Sequence, residues 1–171
     1  MKTKIDVSAK LLNSNTALMA AIRSRNEDMA LLLIEKGADV RVKDSDGQTL
    51  LMWAAHKGLE KACLALIEKG ADVNVANVYG STPLMFAVGG GFERLCRVLI
   101  EKGADVNVAN VDGSTPLMFA AGGGFERSCR VLIEKGADVN TEDSDGWTAL
   151  KYATALGREK LCRILLEKGA K

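Results

Sequence analysis

A chain of 171 residues, 47% of them hydrophobic, is long enough for one ordinary domain and apolar enough to fill a core, which excludes a disordered tail. Its 23 basic and 22 acidic residues leave a formal net charge of +1 and are spread along the whole length, so no segment is made like a nucleic-acid-binding arm or a basic membrane-binding run. The first twenty residues mix Lys2, Lys4, Asp6 and Lys10 with isolated apolar residues, giving neither a signal peptide nor a spanning helix, so the expected location is cytoplasmic.

In chain order, residues 1–10 read as a short lead-in, and beyond them a period of 33 residues governs every element. The string Glu-Lys-Gly-Ala-Asp-Val begins at Glu35, Glu68, Glu101 and Glu134, and a shortened Glu-Lys-Gly-Ala begins at Glu167. A Gly-x-Thr signal keeps the same step at Gly47, Gly80, Gly113 and Gly146. The expected division is a single domain over 1–171: a lead-in and capping unit over 1–43, internal units over 44–76, 77–109 and 110–142, and a closing unit over 143–171. Residues 73–105 and 106–138 differ at only three positions, which implies recent duplication or a deliberate copy.

The first unit, near residues 11–36, carries polar Arg23, Ser24, Arg25 and Asn26 in its connection and is expected to cap the stack. The unit over 77–109 serves for the internal ones. Asn77-Val78-Tyr79-Gly80 predicts the tip of a tight turn, with Gly80 free to take positive φ. Thr82 is placed to cap a first helix with its hydroxyl, and Pro83 sits at the first helical position, where its missing N–H costs nothing. Leu84, Ala87 and Val88 follow at helical spacing, and Gly91 ends this short helix. Glu93 opens a second helix near the positive end of its dipole, with Leu95, Cys96, Leu99 and Ile100 as a wide apolar stripe, and Gly103 ends it. Helices this short are marginal alone, so stacked neighbours must stabilise them. In the closing unit Arg158, Lys160, Arg163 and Lys168 are expected to make the exposed side soluble.

At Thr82-Pro83-Leu84-Met85 and Thr115-Pro116-Leu117-Met118 the sequence resembles the ankyrin repeat, with weaker copies beginning at Thr16, Thr49 and Thr148. The resemblance runs over residues 11–171 and implies an all-α solenoid of about five helix–turn–helix units joined by hairpin loops. One departure is systematic: the His of the family signature is Met in four copies and Lys151 in the last. In the family that His bonds the loop backbone and a thioether cannot donate, so slightly looser loops are expected. Asn77 and Asn110 stand where Asp44 and Asp143 keep the family's Asp, and either residue can accept the local turn bonds.

The resemblance also implies a concave binding surface made of turn tips and the open side of each first helix. Carried over by position, it is Lys43, Ser45, Asp46, Gln48, His56 and Lys57 in the second unit, and Ala76, Val78, Tyr79, Ser81, Gly89 and Gly90 in the third. The fourth gives Ala109, Val111, Asp112, Ser114, Gly122 and Gly123, and the last gives Glu142, Ser144, Asp145, Trp147, Thr154 and Ala155. Tyr79 and Trp147 are the expected anchors, being large residues at positions a solenoid need not bury; packing on an adjacent turn is the competing reading.

Other features have bland readings beside sharper ones. Cys63, Cys96, Cys129 and Cys162 recur once per unit in the second-helix stripe, which suits small buried hydrophobes in a reducing compartment better than a metal site or disulfides. His56 is the only histidine, so no catalytic triad or two-histidine metal site is expected, nor any cofactor. Trp53, Phe86, Phe119 and Tyr152 hold one position in successive units, either as inter-unit packing with partial exposure or as a binding stripe. The triplets Gly89-Gly90-Gly91 and Gly122-Gly123-Gly124 are either frayed helix ends or bare backbone for a bulky partner group; they lack the strand and the Lys-Ser/Thr of a phosphate loop. Asn74, Asn107 and Asn140 read as turn asparagines, with a resemblance to asparagines hydroxylated in some ankyrin repeats. The expected function is non-catalytic: a monomer that binds a partner protein and neither nucleic acid nor membrane, with an engineered or purely structural repeat scaffold without selected ligand as the alternative.

Overall fold

The computed structural model describes residues 16–171, so the expected lead-in over 1–10 lies outside the described residues. Ten helices follow in five pairs: α1 Ala17–Arg23 and α2 Glu27–Glu35, α3 Leu50–Lys57 and α4 Glu60–Glu68, α5 Pro83–Gly89 and α6 Glu93–Glu101, α7 Pro116–Gly123 and α8 Glu126–Glu134, α9 Ala149–Ala155 and α10 Glu159–Glu167. Among the described residues there is no strand, and an isolated bridge joins Lys43 and Thr49. The first helices touch in the order α1, α3, α5, α7, α9, and the second helices follow beside them as α2, α4, α6, α8, α10, with α4 and α6 joined through the Glu60–Arg94 ion pair. The result is an all-α solenoid of two helical layers.

Small residues on the first helices let the layers close up. Ala54, Ala55, Ala87, Val88, Ala120, Ala121 and Ala153 are all fully buried, and Leu66, Leu99, Leu132 and Leu165 meet them from the second helices. Large apolar side chains stay exposed at the two ends of the stack: Met29 and Leu32 on α2, Leu156 and Leu166 beside the expected charged residues of the last pair.

Local chemistry sets the helix ends. Thr16, Thr49, Thr115 and Thr148 accept the N–H three residues on, at 3.2–3.5 Å. Thr82 does not, which corrects the expected cap: its hydroxyl is buried without a partner. At Thr49 and Thr115 the sulfurs of Met52 and Met118 turn back to accept the threonine N–H at 3.4 Å, and at Thr82 this reciprocal contact and the hydroxyl cap are lost together. In the last pair Lys151 donates its ammonium to the Gly146 carbonyl, so a donor to the loop returns where methionine has none. Between the helices of four pairs lies a left-handed glycine: Gly58, Gly91, Gly124 and Gly157. The first pair uses Arg25 there at φ 59°, with its guanidinium bonded to the Lys57 carbonyl at 2.8 Å.

Three sets of bonds join successive pairs. At the tips, Val78 N–H donates to Asp46 carbonyl, Val111 to Tyr79 and Ser144 to Asp112, at 2.9–3.0 Å. On the opposite loops Asn74 donates to the Gly103 carbonyl and accepts from the Asp105 N–H, and Asn107 and Asn140 repeat this with Gly136 and Asp138 and with Gly169 and Lys171. These asparagines are therefore inter-unit ties. Arg41 holds the equivalent position at the first junction and makes no such pair of bonds. Along the second helices Glu60 meets Arg94 at 2.9 Å, Glu93 meets Arg127 at 3.6 Å and Glu126 meets Lys160 at 3.8 Å, exposed pairs worth little each.

Candidate functional site

The hairpin tips are built around one acceptor. Asp44 Oδ1 takes the N–H groups of Asp46 and Gln48, Asn77 those of Tyr79 and Ser81, Asn110 those of Asp112 and Ser114, and Asp143 those of Asp145 and Trp147. The second oxygen explains the choice between Asp and Asn. Asp44 Oδ2 accepts from the Trp53 indole at 3.0 Å and Asp143 Oδ2 from the Tyr152 hydroxyl at 2.6 Å, whereas Asn77 and Asn110 share their units with Phe86 and Phe119, which have nothing to donate. The Tyr152 bond, with the Trp147 N–H next, holds the Asp143 carboxyl below the ordinary range, and the same bond pushes the Tyr152 hydroxyl up to about 12.

With the tips fixed and tied to one another, Lys43, Ser45, Asp46, Val78, Tyr79, Val111, Asp112, Ser144, Asp145 and Trp147 are exposed along one edge, with Gln48, Ser81 and Ser114 half-buried behind them. Val78, Tyr79, Val111 and Trp147 are 61, 54, 64 and 39% exposed, a row of large apolar side chains turned to water. Trp147 rests on Tyr152 with ring centroids 5.1 Å apart, so it packs within its own unit while keeping an open face.

Next to the tips, all four ladder rings, Trp53, Phe86, Phe119 and Tyr152, are half-buried against the core, in line with inter-unit packing and partial exposure. The Arg23 guanidinium lies 4.8 Å over the Trp53 ring. His56, exposed, stands edge-on to Trp53 at 6.3 Å and Phe86 at 6.0 Å, with Lys57 half-buried beside it. Partial burial lowers the His56 pKa, helped by the charges of Lys57 and then Arg25, which favours the neutral imidazole. Arg23 was not among the expected contact residues, although it precedes His56 by one full period of 33 residues.

The glycine triplets divide. A Cβ on Gly90 would strike the Phe92 ring at 2.3 Å and one on Gly123 the Phe125 ring at 2.2 Å, so a side chain there would have to displace the chain's own ring, although both glycines are exposed. Gly89 and Gly122 have nothing within 4 Å of such a Cβ and lie at the C-terminal ends of α5 and α7. They border a groove of about 350 Å³ whose walls include Phe119, Tyr152 and Met118.

Cys63, Cys96 and Cys129 are buried, and burial pushes their thiols up, Cys96 to about 11 and Cys129 to about 12, which disfavours the nucleophilic thiolate. Cys162 is half-buried with its sulfur 3.5 Å from the Thr154 hydroxyl. Among the described residues no group of three His, Cys, Asp or Glu is placed to hold a metal ion, and no helix is long and apolar enough to cross a membrane.

A family model described as "Ankyrin repeats (3 copies)" matches residues 2–77, 40–110 and 84–171. No curated protein matches the chain.

Proposed function

This chain belongs to the ankyrin-repeat family, whose members are generally protein–protein interaction modules, and on that premise we propose that it is a non-catalytic module holding a partner protein along its tips and inner helices. The observation that carries the reading is the exposed row Val78, Tyr79, Val111 and Trp147, because large apolar and aromatic groups turned to water on a rigid edge are the composition of an interface core. The backbone ties between tips hold that row in place before a partner arrives, which lowers the ordering cost of binding. We propose that it acts as a monomer, without cofactor, and in a reducing compartment such as the cytoplasm, which suits its four free cysteines.

The test is capture of a partner from host lysate by the intact chain, identification of that partner, and comparison with the Tyr79→Ala/Trp147→Ala variant. Loss of two anchors is expected to weaken the complex by at least about tenfold, with an unchanged circular dichroism spectrum. Equal affinity would remove the tips from the binding surface, and failure to capture anything would favour a purely structural scaffold.

A further inference from the structure

The register of the repeat compares one position across four junctions. Arg23, His56, Gly89 and Gly122 are successive occupants of that position, each one period of 33 residues from the last. At the first junction the occupant is a guanidinium 4.8 Å over Trp53 of the next first helix. At the second it is an imidazole 6.0 Å from Phe86 of the next first helix. At the third and fourth the occupant is hydrogen, and the corresponding rings, Phe119 and Tyr152, line the open groove of about 350 Å³.

The groove's own lining is uncharged, and the charge beside it is net negative, with Asp143, Asp145 and Asp112 all acting on the Tyr152 hydroxyl. The tip and inner positions of the last three units carry Asp112, Glu142 and Asp145, all exposed, against Lys151, which is engaged with Glu142 at 3.7 Å and with the Gly146 carbonyl. The second unit offers Lys43 and Lys57 against Asp46 at its tip and inner positions, with His56 held toward the neutral form. A flat cation therefore fits the rings by its shape and the rim by its charge, and the chain's own Arg23 displays the contact.

We propose that the groove over Gly89 and Gly122 takes two arginine side chains of an extended partner segment, each lying on Phe119 or Tyr152 as Arg23 lies on Trp53. This rests on the concave surface being the binding face. Neighbouring first helices lie about 8–10 Å apart. A polyproline II segment repeats its direction every third residue with a rise of about 9.3 Å, so arginines at positions i and i+3 match the two sockets.

The probe is a capped Arg-Pro-Pro-Arg peptide titrated into the intact chain and followed by the amide signals of Gly89 and Gly122 and the ring signals of Tyr152. Saturable shifts at these three residues are expected, with the Lys-Pro-Pro-Lys peptide, charged but not planar, and the citrulline peptide, planar but uncharged, at least fivefold weaker. Gly89→Arg/Gly122→Arg fills both sockets from within, in open space, and should weaken the arginine peptide at least tenfold. Absence of saturable shifts, equal binding of the lysine peptide, or indifference to the double variant would each overturn the assignment. A captured partner that binds Gly89→Arg/Gly122→Arg at full strength but loses the tip variant would sink the arginine sockets and leave the proposed function standing. A partner indifferent to the tip variant but weakened by Gly89→Arg/Gly122→Arg would remove the tips from the binding surface and leave the sockets standing.

Discussion

Thr82 and Thr115 sit in the same sequence, Ser-Thr-Pro-Leu-Met-Phe, yet one hydroxyl is buried without a partner and the other caps its helix. Replacing a capping threonine typically costs about 1 kcal/mol, whereas removing a buried hydroxyl that bonds nothing relieves a desolvation cost of similar size. Thr115→Val is therefore expected to lower stability by about 1 kcal/mol, and Thr82→Val to leave it unchanged or raise it by up to about 1 kcal/mol. Urea denaturation of both variants reads the difference; equal losses would mean that the two threonines are equivalent. No reading of identical hexapeptides predicts such a split, because it arises from what surrounds them. The pairing of Asp44 with Trp53 and of Asp143 with Tyr152 was different in kind. Acceptor and ring stand nine residues apart in each unit, so the signal lay in the sequence; it needed only the observation that Asp accompanies a ring with a donor and Asn accompanies Phe. Gly90 and Gly123 were illegible for a third reason: the ring two residues on folds back over the glycine, a consequence of how the helix ends.

The helix pairs themselves were legible almost to the residue, since threonine, proline, glutamate and glycine mark their ends chemically rather than statistically. What joins one pair to the next was less so. Asn74, Asn107 and Asn140 look like turn residues in a single unit, and only stacking brings each to the carbonyl and N–H of the following loop. Arg41 breaks that series at the first junction. Arg41→Asn is expected to restore both bonds and stabilise the chain by about 1 kcal/mol, the net worth of one or two exposed hydrogen bonds. Hydrogen exchange on α1 and α2 supplies the check: protection there should rise by about fivefold while protection in α9 and α10 stays put, and an unchanged profile would deny the asparagines their tying role.

At the scale of the whole molecule, stability is divided among junctions, because each helix meets chiefly its own partner and the adjacent pairs. Residues 73–105 and 106–138 are nearly the same, so excising 73–105 puts Asn107 where Asn74 was and recreates the junction it removes. The shortened chain is expected to fold with the same helical signature and a urea m-value smaller in proportion to the surface lost, about one fifth. A chain that fails to unfold cooperatively would show that the array depends on contacts beyond nearest neighbours. The exposed tip positions were legible at this scale as a row, but the contact of Arg23 with Trp53, on which the proposed sockets rest, was not, because it forms only when one pair stacks on the next.

The missing asparagine at Arg41 also gives the stack a mechanical polarity. Under tension applied at its two ends, the amino-terminal plate, secured to its neighbour without that clamp, should peel away at the lowest force, and the remaining plates should yield afterwards in steps of equal length.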